Sequence, residues 1–263
     1  MSSSTKSYWR MEIKQSPIEH IIQTYTASCY DERASMIQVY GTTQGQYFAI
    51  NTLLYTEPEL RAKVFLPFMS IEPQISDGTR VGMHQDLIAN SADAQGLRNT
   101  FITTTWTADL DFLDKHVVPA WLAFCNSTAQ VVGLQNALLN QALPRPLLEQ
   151  SSRRGNFSRN IIADLHASHL TPIISLLSLT WLEAADDPVV NSAAKAFIET
   201  VESAAQREQK YMDYKYLNYA DKLQHVFEGY DSANLAKMKA ASKKYDPRGL
   251  FQKNLPGGFK IFD

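Results

Sequence analysis

Phe101-Ile102-Thr103-Thr104-Thr105-Trp106 is a run of aromatic and β-branched residues with no good helix former in it. Side chains branched at Cβ crowd the preceding turn of a helix and lie well on a pleated surface, so this run must be extended. Tyr47 to Tyr55 (YFAINTLLY) and Ile173 to Trp181 read the same way, and Val131 to Leu139 forms a further strand. Helices fall between them. Ser16-Pro17-Ile18-Glu19 is a capped start that places Ile18, Ile21, Ile22, Tyr25 and Cys29 on one face. A short helix is expected near Pro58. Thr107 caps a helix carrying Leu110, Leu113, Val117, Trp121 and Phe124, and Asp187-Pro188 opens a long one carrying Phe197, Ile198, Val201 and Ala205. A last helix runs from Ser232 to Tyr245, with Leu235, Met238 and Tyr245 inward and Lys243 and Lys244 at its negative end. Strands alternating with helices suggest a parallel sheet by pattern alone, and pattern alone does not settle the point.

Hydrophobic residues make up 44% of the 263 and charged residues 20%, enough for a substantial core. With 25 Lys+Arg against 27 Asp+Glu the net charge is −2, so there is no basic excess to neutralise a phosphate backbone or an anionic bilayer. Nucleic acid and membrane are therefore not expected partners. Cys29 and Cys125 stand alone, which encodes neither a disulfide framework nor a zinc site. Leu170 to Leu182 is too short to span a bilayer and is interrupted by Thr, Ser and Pro. Residues 1–14 read as a polar lead-in with no secretory core, which gives a cytoplasmic expectation, and residues 15–263 as a single domain. The capped start at Ser16 favours an independently folded product.

Tyr211 to Tyr219 reads as a strand with Tyr214, Tyr216 and Asn218 on one face and Lys215, Leu217 and Tyr219 on the other. Phenol and carboxamide groups are the polar handles of small-molecule pockets, and equally a buried strand whose hydroxyls are satisfied. Trp106 and Trp181 serve either a core or the walls of a pocket. His166 and His169 form half of a metal site with nothing to complete it, and His84 suits a solvated loop. Glu199, Glu202 and Glu208 belong to a solvated helix face. There is no nucleophile elbow and no phosphate loop.

Tyr216 to Asp221 (YLNYAD), Ser232 to Gln252 (SANLAKMKAASKKYDPRGLFQ) and Pro256 to Phe262 (PGGFKIF) resemble the C-terminal end of the fungal berberine-bridge-enzyme-like, FAD-linked oxidoreductases. Weaker agreement runs through Lys63–Phe68, Phe101–Thr104, Gly155-Asn156 and Trp181. The resemblance implies an α+β fold: a large antiparallel sheet covered on one face by helices, the substrate domain of the vanillyl-alcohol-oxidase and berberine-bridge type. It also implies that Tyr216, Asn218 and Tyr219 lie beneath a flavin ring and line a substrate cavity. This chain departs from the family at Tyr230-Asp231, where Tyr-Gly is usual. It also keeps only Arg154-Gly155-Asn156, with Arg159 downstream, of a longer glycine loop. The family's flavin domain, with its glycine-rich pyrophosphate turns, has no counterpart among the 11 scattered glycines, so no cofactor is expected.

The expected function is a cofactor-independent cyclase of fungal secondary metabolism. It would be a Diels–Alder or hetero-Diels–Alder catalyst that also promotes dehydration to a quinone methide, similar in kind to those that build tropolone–sesquiterpene adducts. Tyr216 and Asn218 are the expected donors and Tyr214 the reserve acid, with Trp106, Trp181, Thr103, Thr105 and Tyr219 against an apolar or aromatic small molecule. The alternatives are a fragment or subunit of an FAD-dependent oxidoreductase, and a non-catalytic ligand-binding protein. Tyr245 and Phe251, left uncovered, point to a homodimer.

Overall fold

Nine strands make one antiparallel sheet in the computed structural model, which describes residues 2–10, 31–43, 46–72, 74–83, 85–86, 96–153, 171–230 and 232–262. They are β1 (Ser2–Arg10), β2 (Ala34–Thr43), β3 (Gln46–Tyr55), β4 (Gln74–Asp77), β5 (Arg80–Gly82), β6 (Arg98–Thr107), β7 (Gln135–Ala142), β8 (Pro172–Trp181) and β9 (Tyr211–Met212). The spatial order is β4-β1-β3-β2-β7-β8-β6-β9, with β5 also pairing β1. Every pairing is antiparallel, so the parallel arrangement that alternation suggests does not occur. Residues 2–10, read as a lead-in, form a strand of the sheet that pairs β3 from Ser3↔Tyr55 to Arg10↔Phe48. The helix expected at Ser16 and the residues Arg154–Asn156, Arg159, His84, His166, His169 and Asp231 lie outside the described residues.

The longer helices among the described residues, and the short one after them, are α1 (Val118–Ser127), α2 (Arg145–Arg153), α3 (Asp187–Arg207), α4 (Ser232–Tyr245) and α5 (Leu250–Lys253). α1 is led in by a helical turn, Leu110–Phe112, and a π-helical turn, Leu113–Val117. Asp109, not Thr107, caps this segment, its Oδ1 accepting from the Phe112 amide at 2.8 Å. The short helix expected near Pro58 forms later, as a 3-10 turn over Lys63–Phe65 running into Leu66–Met69. α1 and α3 cover one face of the sheet. There Met36, Tyr40, Leu53, Ile102, Trp106, Leu138, Ile173 and Leu177 meet Trp121, Phe124, Val190, Phe197 and Val201 in one core. Burying each such side chain contributes about 1.5–3 kcal/mol. Among the described residues, no helix is long and apolar enough to cross a membrane.

A row of polar side chains crosses this covered face. Asn51, Gln38, Asn140, Ser175 and Thr104 are successive cross-strand partners from β3 to β6, all of them buried. Ser175 Oγ donates to Asn140 Oδ1 (2.6 Å) and accepts from Trp106 Nε1 (2.8 Å). At the other end Gln38 Oε1, Asn140 Nδ2 and both amide atoms of Asn51 are buried with no hydrogen-bond partner among the described residues. On the uncovered face the Phe48 ring lies over Gly41 opposite, where a Cβ would come within 2.5 Å of it.

α4 is set less deeply than its sequence predicts. Leu235 and Met238 are half-buried, but Tyr245 is 77% exposed, and Phe251 beyond it 67%.

Candidate functional site

Alternation along β6 sends Ile102, Thr104 and Trp106 under the helices and Phe101, Thr103 and Thr105 to the opposite face. On that second face Thr105 stands opposite Ile174 of β8. Ile174 packs with Leu143 and Leu148 beneath Met212, Tyr214, Tyr216 and Tyr219. The segment after β9 thus lays three tyrosines over the β6–β8 pair, and this is the candidate site.

Its backbone is not the strand expected over 211–219. Pairing to β6 stops at Met212, and Leu217–Tyr219 forms a 3-10 turn. Residues three apart in such a turn eclipse one another. Tyr216 and Tyr219, assigned by strand periodicity to opposite faces, are therefore in edge contact, ring centroids 4.8 Å apart. Tyr219 also meets Phe101 edge-on at 6.2 Å. Asn218 is exposed, and its Nδ2 donates to Tyr216 Oη at 2.9 Å. Burial pushes the Tyr214 hydroxyl far above its ordinary range and raises that of Tyr219, so both are held neutral.

Of the two threonines expected to touch substrate, Thr103 is committed elsewhere, its Oγ1 donating to the Ser175 carbonyl at 2.8 Å. Thr105 Oγ1 is buried and has no partner among the described residues. The tryptophans require a correction. Trp106 is fully buried in the core, on the face opposite Tyr216, and Trp181 lies on that same covered face with its Nε1 donating to Asp187 Oδ1 at 2.9 Å. Strand parity separates them from the tyrosines, so they do not wall one pocket.

Gly229 is a site residue that composition alone could not mark. A Cβ there would lie 1.8 Å from the Asp213 carbonyl oxygen, so only glycine lets the 226–229 turn back onto the segment that presents Tyr214 and Tyr216. Tyr211 and Lys215 were also missed; the Lys215 Nζ donates to Tyr211 Oη at 3.0 Å.

No family model matches the chain. Its sequence is 27% identical over 260 residues to an FAD-dependent monooxygenase, drtC, of Aspergillus calidoustus, covering 97% of this chain and 49% of that one. Another FAD-dependent monooxygenase, tpcD of Cochliobolus heterostrophus, is 32% identical over 182 residues, 65% of this chain and 33% of its own length. Among solved structures, a berberine-bridge-enzyme-like protein of Physcomitrella patens superposes with a TM-score of 0.58 at 13% identity, over all of this chain and 54% of that one. The chain is a relative of the fungal FAD-dependent monooxygenases and has the berberine-bridge fold. It spans about half the length of the curated relatives it matches.

For a protein of this kinship the pyrophosphate of FAD needs backbone amides free at a glycine turn. Among the described residues, Gly96, Gly133, Gly249, Gly257 and Gly258 adopt left-handed φ. Of these, Gly249 alone opens a helix, the four-residue α5. The amides of Leu250 and Phe251 there already donate to the Asp246 carboxylate, at 2.8 and 2.9 Å. Among the described residues, no glycine turn fits the dinucleotide part of the cofactor.

Proposed function

We propose that this chain is the substrate-holding half of an FAD-linked oxidoreductase and acts, with β1 included in its sheet, as one substrate-binding domain in the cytoplasm. An apolar or aromatic small molecule lies against the tyrosine face over β6 and β8. The single observation that carries the reading is the Asn218–Tyr216–Tyr219 cluster, because it joins a hydrogen-bond donor to aromatic surface on the face away from the helices. Kinship with monooxygenases about twice its length supports the oxidoreductase side of it. Tyr216 Oη accepts from Asn218 and keeps its own proton to donate to a substrate oxygen. Tyr214 and Tyr219 supply neutral, largely apolar walls, and Thr105 Oγ1 offers an unused polar atom on the same face. FAD supplies redox chemistry in such enzymes, and its binding surface would come from a second body. The exposed Tyr245 and Phe251 suit a covering partner, and without that body they would bring two copies of the chain together.

The cofactor-independent cycloaddition is the second reading, favoured by the poor fit to a pyrophosphate. Holding two reactants in register can supply roughly 7–11 kcal/mol without a redox centre.

One experiment separates the two. The chain is co-expressed with the part of the Aspergillus calidoustus monooxygenase that it does not match. The expected result is a co-purifying complex with flavin absorbance that bleaches on adding an oxidisable phenolic substrate. Tyr216→Phe should slow the bleaching about 10²-fold, the cost typical of losing one donor at a developing oxyanion. A chain that forms no flavin-bearing complex overturns the first reading, and turnover of a diene with its alkene partner by the chain alone, free of flavin, establishes the second.

A further inference from the structure

The early end of β9 has a second consequence, on the opposite face. Past Met212 the chain leaves the sheet and returns near Asp221, leaving a cavity of about 1080 Å³ between the start of β6, α3 and residues 211–228. Ile102, Trp181, Ala194 and Ile198 give it an apolar wall beneath the helices, so it does not communicate with the tyrosine face through any residue of that cluster. Some of its charges pair with one another, Arg98 with Asp187 and Lys195 with Glu199 at 3.7 Å, and the His225 ring lies 3.5 Å from Glu228.

Three further lining groups form one cluster. Lys215 and Glu202, with side chains only 13% and 21% exposed, face each other at 3.6 Å, too far for a hydrogen bond. Glu202 Oε1 is a buried acceptor with no hydrogen-bond partner among the described residues. Lys215 Nζ donates to Tyr211 Oη instead, which leaves the Tyr211 proton only a long contact to Asp213 Oδ1 at 3.4 Å. Burial raises the Tyr211 hydroxyl above its ordinary range, and the Tyr211 and Glu202 contacts hold Lys215 charged, so the pair stands as a phenol polarised by an ammonium. One orphan acceptor and one loosely held donor therefore flank the same ammonium in a cavity with an apolar wall.

We propose that this cavity is a second small-molecule site, which takes a ligand with an apolar body bearing both a hydroxyl and a carbonyl. The hydroxyl donates to Glu202 Oε1 and the carbonyl accepts from Tyr211 Oη. The proposal does not rest on the oxidoreductase reading, because it uses none of the residues of the tyrosine face.

The probe is para-hydroxybenzophenone, followed by quenching of tryptophan fluorescence, since Trp181 lines the cavity, and by photo-crosslinking with peptide mapping. Saturable binding is expected, with crosslinks in α3 or residues 221–228. Tyr211→Phe and Glu202→Leu should each weaken it about tenfold, the worth of one hydrogen bond to a buried partner. Benzophenone without the hydroxyl should bind wild type and Glu202→Leu alike. Circular dichroism checks each fold; should Glu202→Leu fail it, Tyr211→Phe decides alone. No saturable binding, crosslinks confined to the tyrosine face, or equal affinity in folded Tyr211→Phe overturns the proposal.

Discussion

The side-chain amide of Gln224 stands in for a neighbouring strand at Thr103: its Nε2 donates to the Thr103 carbonyl at 2.7 Å and its Oε1 accepts from the Thr103 amide at 3.0 Å. β9 pairs β6 only at Thr105 and Trp106, so this one residue extends the pairing by a further step along an edge that would otherwise be open. The same Oε1 accepts from the Asp221 amide at 3.0 Å, tying the edge to the turn beyond the tyrosines. Gln224→Ala should cost about 1–3 kcal/mol, since it strands two half-buried backbone groups at once. Urea denaturation reads the loss, and hydrogen exchange at the Thr103 amide should accelerate more than at Ile102.

Gly229→Ala should be among the more disruptive single changes on the C-terminal half. The added methyl meets backbone, the Asp213 carbonyl, so relief requires the 213–216 segment to move. The expected signs are a lower thermal midpoint and loss of ligand binding on the tyrosine face with α1 and α3 intact. Near-ultraviolet dichroism of the tyrosines should change while the far-ultraviolet spectrum holds.

Asn51→Leu tests the buried polar row in the other direction. Both amide atoms of Asn51 lie buried and unpaired, and replacing an unsatisfied amide by an apolar group of similar size removes a desolvation cost of about 1–3 kcal/mol. Stability unchanged or raised is the expected outcome in denaturant titration. A drop of several kcal/mol would mean that the amide is satisfied in solution by bound water.

Acid should weaken the turn that enters β2. Arg33, bonded to Asp31 through both its guanidinium and its amide, together with the Tyr55 hydroxyl at 2.9 Å, lowers the Asp31 carboxyl to about 2. A carboxyl depressed on folding contributes stability that is fully present above its unfolded value, near 4, and is lost as pH falls through about 2. Asp31→Asn should therefore lower stability at neutral pH and flatten its fall between those values, as measured by denaturant midpoints across the range.

Much of the sheet was legible because its signal is steric. The threonine run of β6, the aromatic run of β3 and the apolar run of β8 each announce themselves, and Asp187-Pro188 opens α3 where a proline in the first turn predicts. β7 begins at Gln135, after a turn at Gly133, later than the pattern from Val131 to Leu139 predicts. β1, in Ser2–Arg10, carries no apolar period and is held by pairing to β3, β4 and β5, which no local pattern encodes. At the site, the tyrosine-rich segment looks like a strand because aromatic residues favour strands. Its last turn is instead made by Tyr216 and Tyr219 packing edge to edge. Which tryptophans share a face with which tyrosines depends on the parity of a neighbouring strand, and residue types alone do not reveal it.

The sealing of β6 by Gln224 also sets a schedule. The two residues are 121 positions apart, so during synthesis at ~5–20 residues/s the edge of β6 waits roughly 6–24 s for its cover. Its other neighbour, β8, arrives earlier, leaving a threonine-rich strand paired on one side and bare on the other until residues 211–224 emerge. A nascent chain of this protein would thus be most prone to strand-to-strand capture by other chains late in translation, with most of the sheet already made.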